Sequence, residues 1–483
     1  MYFQTRLLQG NLDGDLDITA FCKLKPDQYP YALISTSKGI NTKNNNRYHI
    51  LFAYPQESIS LDHNFVLTNE TNIEVSKESG FLNALQQWWQ TLSTREAGTK
   101  EKSSDLPFTG GWFIYLSYEL AAEIEPGLQL PVNRGPIPVA MAVRCPAAII
   151  VDRLENRCIA IAENEYSSIL DDMERDYADI IARAQKNVSR SVAEPAVKAE
   201  AIHEDEVEPY LEKIERIKQY IYDGDIFQAN LSRPWSITIG DEDNNKIDDV
   251  DLFKMLSQSN PASFSALVKL KNVTVISSSP ERLVRSKNNR VETRPIAGTR
   301  PRSENDAMDN QLARELMSHP KERAEHIMLI DLERNDLGRI CVPGSISVNE
   351  LMVLESYQHV HHIVSNVQGE LQKGITPAGI IKAVFPGGTI TGCPKVRCME
   401  ILAEMEQEPR GAYTGSTGYI NRDGSMDLNI LIRTLVRQGN KISFRAGGGI
   451  VSDSKPLKEL DETRAKAKGL LTVFDKKAEP CSV

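Results

Sequence analysis

Short apolar segments separated by turn residues recur along this 483-residue chain, and they constrain its fold more than any other feature. Over residues 1–185 they predict strands and loops with few helices, because apolar runs bounded by glycine, proline, asparagine or aspartate are typical of strands. Residues 107–115, PFTGGWFIY, predict a strand entered from a tight turn. With 41% hydrophobic residues the chain can bury a large core, which excludes disordered and fibrous classes.

A segment without periodicity divides the chain into two regions. Residues 187–206, NVSRSVAEPAVKAEAIHEDE, are rich in small and acidic residues and predict a linker or a long surface loop. It separates an N-terminal region, residues 1–190, from a larger C-terminal region, residues 200–478. Immediately after it, apolar residues at three- and four-residue steps predict a helix that ends at Asp223-Gly224.

The C-terminal region continues with strands and turns. Residues 411–436 predict two strands joined through Asp423-Gly424, a hairpin signal. Residues 442–453, ISFRAGGGIVSD, predict a strand that runs into three glycines. These glycines would let backbone N–H groups approach an anion, although a simple tight turn is the more ordinary explanation.

Two predicted helices, over residues 321–339 and 458–471, carry carboxylates at helical spacing. Each has two glutamates three residues apart. They are Glu322 and Glu325 in the first helix and Glu459 and Glu462 in the second, where Lys466 follows one turn later. Like charges at this spacing destabilise a helix by roughly 0.2–0.5 kcal/mol per pair unless a cation lies over them. Facing one another, the two helices would offer carboxylate oxygens to Mg²⁺; the alternative is two solvated helix faces.

An arginine and a histidine cluster are further candidates. Arg433, in the predicted strand ILIRT, would be an inward-facing cation that needs an anionic partner. In the segment QHVHH, a strand would place His359 and His361 on one face and His362 on the other. No Cys or His set with zinc spacing stands nearby, so a general acid or base is favoured over a zinc site.

Charge and hydropathy exclude several partners. Lys and Arg number 56 against 66 Asp and Glu, a net charge of −10, and no concentrated basic run occurs, so a nucleic acid is not expected as the partner. No apolar stretch approaches the ~18 residues that span a bilayer, and the N-terminus lacks the features of a secretory signal. We expect a cytoplasmic protein with no membrane contact, which binds any anionic ligand through locally placed cations.

Together, these motifs resemble those of the chorismate-utilising enzymes. The matching segments are, in chain order, residues 279–282 (SPER), 294–302 (RPIAGTRPR), 324–339 (AEHIMLIDLERNDLGR), 385–397 (FPGGTITGCPKVR), 411–420 (GAYTGSTGYI), 432–434 (IRT), 446–454 (AGGGIVSDS) and 459–471 (ELDETRAKAKGLL). The resemblance covers about residues 207–474, the chorismate-binding catalytic domain, and extends into an anthranilate synthase component I-like N-terminal region. It implies an α+β fold with antiparallel β-sheets in a sandwich and helices around them.

The resemblance also implies a role for individual residues. It implies that Glu325 and Glu462 bind Mg²⁺ and that Glu322 and Glu459 hold metal-bound waters. It also implies that the two carboxylates of chorismate are bound by Tyr413, Arg433, Gly447, Gly448, Gly449 and Lys466. As catalytic residues it implies His362, which would protonate or hydrogen-bond the departing C4 hydroxyl, Thr389, which would line the pocket, and Glu281 as a general acid or base.

Two positions narrow the choice of family member. Gln228 stands where isochorismate and salicylate synthases have a lysine that activates water, and an amide cannot take that proton at neutral pH. Ala297 stands where many aminodeoxychorismate synthases have a lysine that attacks C2, and alanine there is typical of anthranilate synthases. Water addition is therefore disfavoured, and amination at C2 or C4 stays open.

Other segments resemble aminodeoxychorismate synthase. They are GGTITG, YTGSTGY, the three consecutive glycines, and the N-terminal segment at residues 31–55, which lacks a clear L-L-E-S tryptophan-binding element. They predict an aminodeoxychorismate synthase component I, which forms 4-amino-4-deoxychorismate for 4-aminobenzoate and folate; the alternative is anthranilate synthase component I. No cysteine lies in a G-x-C-x-G context, so a separate glutamine amidotransferase subunit is the predicted partner that supplies ammonia.

Overall fold

The computed structural model describes residues 2–10, 16–37, 46–75, 79–93, 105–187, 197–240, 247–303, 305–357 and 360–475. Its strands are β1 (Phe3–Gly10), β2 (Tyr31–Ile34), β3 (Tyr48–Ala53), β4 (Ser58–Leu61), β5 (Leu67–Asn69), β6 (Gly111–Leu116), β7 (Ala140–Cys145), β8 (Ala147–Asp152), β9 (Arg157–Glu163), β10 (Val197–Glu204), β11 (Gln228–Ile239), β12 (Phe264–Lys269), β13 (Thr274–Ser279), β14 (Arg282–Lys287), β15 (Arg290–Thr293), β16 (Ile296–Pro301), β17 (Ser347–Ser356), β18 (Val360–Glu370), β19 (Gly392–Cys393), β20 (Ser416–Asn421), β21 (Met426–Asn429), β22 (Thr434–Gln438), β23 (Lys441–Ile450) and β24 (Phe474–Asp475).

The α-helices are α1 (Thr19–Leu24), α2 (Gly80–Leu92), α3 (Ala121–Ile124), α4 (Ile169–Asn187), α5 (Val207–Tyr222), α6 (Asp249–Ser259), α7 (Asp306–Ser318), α8 (Pro320–Gly338), α9 (Pro377–Val384), α10 (Lys395–Glu406) and α11 (Pro456–Leu471). Short 3-10 helices span Tyr118–Leu120, Asn164–Tyr166 and Gly388–Ile390. Among the described residues, no helix has the length and apolar character needed to cross a bilayer.

The described strands form two large sheets. The order in the first is β1-β9-β8-β3-β2-β12-β13-β22-β23-β11-β10-β24, with β19 also on β11, and in the second β16-β18-β15-β14-β21-β20-β6-β7-β4-β5, with β17 on β18. Neighbouring strands run antiparallel, except that β10 and β24 are parallel. The predicted hairpin is confirmed, because β20 and β21 pair across Asp423-Gly424.

The two sheets pack face to face, and helices cover their outer faces. Strand β8 shows how the sequence achieves this, because alternate residues of a strand point to opposite sides. Ala148 and Ile150 enter the core between the sheets, whereas Ala147, Ile149 and Val151 enter the core that the first sheet forms with its helices. The predicted α+β class with an antiparallel sandwich is therefore confirmed.

Both sheets contain strands from both sequence regions. In the first sheet β2 pairs with β12, and in the second β6 pairs with β20. The division near residues 190–200 remains a sequence prediction, but the strands on its two sides share hydrogen bonds and one inter-sheet core.

The predicted linker is partly wrong. Residues 188–196 lie outside the described residues, but β10 occupies residues 197–204 and pairs with β11. The reason is that VKAEAIHE alternates enough to pair, with Val197 buried. The predicted helices ending near residues 223, 338 and 471 are confirmed as α5, α8 and α11.

Candidate active site

A cavity of about 930 Å³ opens where α8, α11, β11 and β16 meet. Ten of the predicted site residues line it: Glu281, Glu322, Glu325, His362, Thr389, Arg433, Gly449, Glu459, Glu462 and Lys466. Tyr413, Gly447 and Gly448 lie outside the wall of the cavity. The sequence-distant motifs therefore meet in one place, which is large enough for a small organic acid.

The carboxylates of α8 and α11 face each other across one side of the cavity. Burial raises the pKa of Glu325 to about 7, and the negative charges of Glu322, Asp453 and Glu462 act in the same direction. Burial, reinforced by Glu462, also raises the pKa of Glu459. All four carboxylates line the cavity, and the side chains of Glu325 and Glu462 are 31% and 49% exposed, so these helix faces are open to the solvent of the cavity.

Basic side chains offset part of this negative charge. Arg300 Nη1 lies 3.0 Å from Glu322 Oε1, Lys466 Nζ lies 2.7 Å from Glu462 Oε1, and Lys321 Nζ lies 3.8 Å from Glu325 Oε1. Within the described ranges, no three acidic, His or Cys side chains come close enough together to hold an ion. Oxygen donors from two facing helices nevertheless suit Mg²⁺, which needs only one or two protein carboxylates beside water and substrate oxygens.

Arg433 supplies a positive charge to the cavity and forms no ion pair within the described part of the chain. Its predicted position inside a strand is wrong: it lies in a bend between β21 and β22, with a positive φ of 51°. Non-glycine residues rarely adopt this conformation, which often marks functional sites. Its guanidinium forms no ion pair with the described part of the chain, and burial lowers its pKa while Glu281 opposes that shift.

The three glycines form part of a strand, so the tight-turn explanation is wrong. In β23, Gly447, Gly448 and Gly449 pair with Ser232, Leu231 and Asn230 of β11. A Cβ on Gly447 would lie 2.5 Å from the Leu231 carbonyl oxygen and 2.8 Å from the Tyr413 hydroxyl, and one on Gly449 would collide with Gln228 Nε2. A Cβ on Gly448 would only touch Glu462 Oε1, at 3.4 Å. Glycine at positions 447 and 449 thus lets Tyr413 and Gln228 pack against the strand that borders the cavity.

Lys466 is fixed beside these glycines. Its Nζ donates to the Gly447 carbonyl at 2.8 Å and pairs with Glu462. The side chain is 43% exposed, because it borders the open cavity. Lys466 and Arg433 therefore bring two cations to the cavity of an acidic protein.

The histidine segment divides as an extended strand requires. His361 contacts Asp309 and Ser356, whereas His362 faces the cavity, and His359 lies outside the described residues. His362 Nδ1 lies 2.9 Å from Thr299 Oγ1, and burial, followed by the charge of Arg433, lowers its pKa to about 4. The imidazole is therefore neutral at physiological pH.

Glu281 and Thr389 form the polar end of the cavity. Burial raises the pKa of the Glu281 carboxyl to about 7, against smaller opposing effects of Thr389, the Ile296 N–H and Arg433. Glu281 Oε1 and Thr389 Oγ1 are both buried, and the Thr389 hydroxyl lies close enough to the carboxyl to lower its pKa. A carboxyl with this pKa can give or take a proton near neutral pH.

Several residues of the site were not singled out from the sequence. They are Asn230, Thr299, Arg300 and Lys321, which line the cavity or hold a residue that does. Thr299 and Arg300 stand inside the quoted motif RPIAGTRPR, but only their pairing across β16 and β18 brings Thr299 opposite His362. The motif thus pointed to Thr299 and Arg300, but the contact between Thr299 and His362 could be seen only in the folded structure.

The chain belongs to the chorismate binding enzyme family, whose model matches residues 42–472. It is 42% identical over 380 residues to the anthranilate synthase component I-like protein of Synechocystis sp., covering 78% of this chain and 75% of that protein. It is 36% identical over 465 residues to aminodeoxychorismate synthase component 1 of Bacillus subtilis, covering 94% and 93%. Anthranilate synthase component I from Streptococcus pneumoniae superposes with a TM-score of 0.74 at 29% identity, over 88% and 92% of the two chains. The fold, cavity and relatives together define a chorismate-utilising enzyme.

Proposed function

We propose that this chain is an aminodeoxychorismate synthase component I, which aminates chorismate at C4. In the net reaction a C–N bond forms at C4, the C4–O bond breaks, and the hydroxyl leaves as water with the proton that the nitrogen loses. The observation that carries the proposal is one cavity with facing carboxylates on one wall and the unpaired Arg433 on another. This polarity suits a dicarboxylate substrate whose leaving group needs stabilisation.

The cations of this chain would hold the substrate. Arg433 lacks an ion pair within the described residues and Lys466 is partly exposed, so both can accept a carboxylate without breaking a buried ion pair. Gly449 borders the same cavity, and Gly447, Gly448 and Tyr413 support that wall from behind. We propose that one carboxylate of chorismate binds at Arg433 and that the other lies near the acidic helices.

Mg²⁺ is the proposed cofactor. Glu325 and Glu462 would bind it, with Glu322 and Glu459 holding its waters, and the burial-raised pKa of Glu325 fits a carboxylate that lacks its cation. When bound, the ion would neutralise a substrate carboxylate and act as a Lewis acid toward the leaving hydroxyl.

His362 and Glu281 would handle protons. His362 Nδ1 lies 2.9 Å from the Thr299 hydroxyl and 3.4 Å from the Gly298 carbonyl. These two groups would orient the ring so that its Nε2 contacts the departing hydroxyl. Glu281, with a pKa of about 7, would act as the general acid or base, and the Thr389 hydroxyl lies beside it.

The choice of C4 over C2 rests on sequence motifs and on the near-complete alignment with the Bacillus subtilis protein. One observation favours anthranilate synthase component I instead: Ala297 lines the cavity and cannot attack C2 as a lysine would. Under that alternative, nitrogen adds at C2, and water and pyruvate leave. Under the first proposal, ammonia must attack without a lysine-linked intermediate.

A separate glutaminase subunit is the proposed partner. The Bacillus subtilis and Streptococcus pneumoniae relatives are each named as one component of a synthase, and no cysteine of this sequence lies in a G-x-C-x-G context. That subunit would release ammonia from glutamine and deliver it to the cavity.

Product analysis tests the proposal. The purified chain would be incubated with chorismate, MgCl₂ and ammonium chloride at alkaline pH, with a parallel reaction lacking Mg²⁺, and the products separated by chromatography with mass detection. We expect 4-amino-4-deoxychorismate in the Mg²⁺ reaction. Fluorescent anthranilate without that product would favour the alternative, and unchanged chorismate would contradict both.

A further inference from the structure

Tyr357 contacts His362 at the edge of the cavity. It follows β17 directly, is 7% exposed and lines the cavity together with His362. The two rings meet at 65° with their centroids 5.7 Å apart, which is an edge-to-face contact. The imidazole is thus in contact with an aromatic ring as well as with the polar groups of Thr299 and Gly298.

The position of Tyr357 is fixed at three points. Its hydroxyl donates to Glu355 Oε2 at 2.6 Å, its N–H donates to the Val360 carbonyl at 2.8 Å, and its carbonyl accepts from Arg302 Nη1 at 2.9 Å. Burial, followed by the charge of Glu355, raises the pKa of the Tyr357 hydroxyl, so it stays protonated and keeps donating. The ring is therefore held both through its backbone and through its hydroxyl.

The Glu355 carboxylate that receives this hydroxyl is fixed in its turn. It is 5% exposed, and its other oxygen, Oε1, accepts from Arg294 Nη2 at 2.6 Å. Arg294 Nη1 lies 2.5 Å from Oε2 of Glu350, which belongs to the same strand β17. Hydrogen bonds between charged groups are stronger than those between neutral groups. A chain of hydrogen bonds thus runs from Arg294 through Glu355 to the ring beside His362.

The orientation of the His362 ring matters for its proposed task. The ring torsion of histidine is broad and roughly two-fold, so the side chain alone does not select one orientation. Of the two polar contacts of Nδ1, the one to Thr299 is 2.9 Å long and the one to the Gly298 carbonyl is 3.4 Å, which is at the weak end for a hydrogen bond. Catalytic groups must be held within about 0.5 Å and 10–20° of the productive geometry. The fixed ring of Tyr357 supplies a further constraint on that orientation.

We infer that Tyr357 is a positioning residue for His362 and that the ion pair of Glu355 with Arg294 fixes Tyr357. This inference rests on the proposed role of His362 toward the departing hydroxyl. It holds whether nitrogen adds at C2 or at C4, because the C4 hydroxyl leaves in both reactions. Tyr357 should therefore affect the chemical step, through His362, and leave the binding of chorismate unchanged.

Steady-state kinetics of Tyr357→Leu and Tyr357→Phe test the inference. The leucine variant removes the ring, so kcat should fall about tenfold, the factor for one aromatic contact, while KM for chorismate changes less than twofold. The phenylalanine variant keeps the ring and loses only its hydrogen bond to Glu355, so kcat should fall about threefold. Tyr29→Phe is the matched control, because buried Tyr29 donates to Asp176 Oδ2 at 2.8 Å outside the lining of the cavity. The control should lower the melting temperature and leave kcat unchanged.

A double-mutant cycle with His362→Ala separates positioning from a structural role. If Tyr357 acts through His362, adding Tyr357→Leu to His362→Ala should lower kcat by less than twofold. The same tenfold loss in both backgrounds would show that Tyr357 acts independently of His362 and would overturn the inference. If the turnover of His362→Ala is too low to measure, the separate effects on kcat and KM in the single variants decide.

The outcomes separate this inference from the proposed function. If the wild-type chain does not aminate chorismate, or if His362→Ala keeps the wild-type kcat, the proposed function or the role of His362 fails and the inference fails with it. If the wild type aminates chorismate, His362→Ala is impaired and Tyr357→Leu keeps kcat within twofold of the wild type, only the inference is wrong. A rise in KM for chorismate as large as the fall in kcat would also overturn it. If Tyr357→Leu does not fold, Tyr357→Phe carries the same comparison.

Discussion

Replacing Arg433 by glutamine tests whether this arginine serves the substrate or the fold. A buried arginine is ordinarily paired, and its loss then leaves an unpaired carboxylate that strongly destabilises the protein. Arg433 has no ion pair with the described residues, and Glu281 only partly offsets the burial that lowers its pKa. Arg433→Gln should therefore leave the free energy of unfolding unchanged or slightly higher.

The same substitution should weaken chorismate binding strongly. A hydrogen bond between charged groups contributes about 1.5–3 kcal/mol, and about 1.4 kcal/mol corresponds to a factor of ten. We therefore expect kcat/KM for chorismate to fall by about ten- to a hundredfold. The positive φ of Arg433 remains in the variant, so backbone strain does not confuse the comparison.

Arg437→Gln is the matched control. Arg437 lies on β22, and its Nη1 is 2.9 Å from Asp249 Oδ1, so this variant loses an ion pair outside the cavity. It should lower stability by up to about 1 kcal/mol and leave kcat/KM unchanged. Thermal denaturation measures the stability of both variants, and steady-state kinetics with chorismate measure their kcat/KM. A large loss of stability in Arg433→Gln together with normal kinetics would refute the reasoning.

Three further predictions follow. Glu281→Gln should remove a pH dependence of the free energy of unfolding. The Glu281 carboxyl has a pKa of about 7 in the folded protein against an ordinary 4.5. Its protonated form therefore contributes about 3 kcal/mol to the free energy of unfolding below pH 4.5, and this contribution is lost as the pH rises to 7. Urea unfolding at several pH values checks this, and a wild-type-minus-variant difference independent of pH would contradict it. Glu325→Ala and Glu462→Ala should each abolish turnover and the thermal shift caused by Mg²⁺, whereas Glu315→Ala on exposed α7 should keep both; a retained shift would remove the metal assignment. With chorismate and glutamine but no ammonium salt, this chain alone should give no product. Product formed without a partner subunit would contradict the proposal that a separate glutaminase supplies the ammonia.

Local pattern predicted the elements of the fold well where periodicity was strong. The hairpin at Asp423-Gly424 and the acidic helices α8 and α11 follow directly from turn chemistry and helical spacing. The strand β10 was predicted as part of a linker because its small and acidic residues are typical of loops, whereas pairing with β11 and β24 fixes it as a strand. The glycine strand was predicted as a turn because glycine favours turns locally, whereas here the three glycines pair with β11, and the Leu231 carbonyl and the Tyr413 hydroxyl exclude a side chain at Gly447.

Motifs named ten residues that line one cavity, but they gave no information on the contacts among those residues. Arg433 lines the cavity with the other candidates, but its predicted backbone conformation is wrong, because a positive φ at arginine has no local sequence signal. The backbone N–H and carbonyl of Asn230, on the cavity-lining strand β11, bond to Thr391 and Arg410, which lie far from it in sequence. Such long-range contacts decide which polar atoms are satisfied and which remain for a ligand.

The central claim is that the cavity between α8, α11 and β11 is where this enzyme binds chorismate and Mg²⁺. A crystal structure of the protein with both bound tests it most directly. We predict density for the cation between Glu325 and Glu462, and for chorismate beside it with a carboxylate on Arg433. Chorismate bound elsewhere, or in this cavity without contact to Arg433 and the metal, would contradict the account.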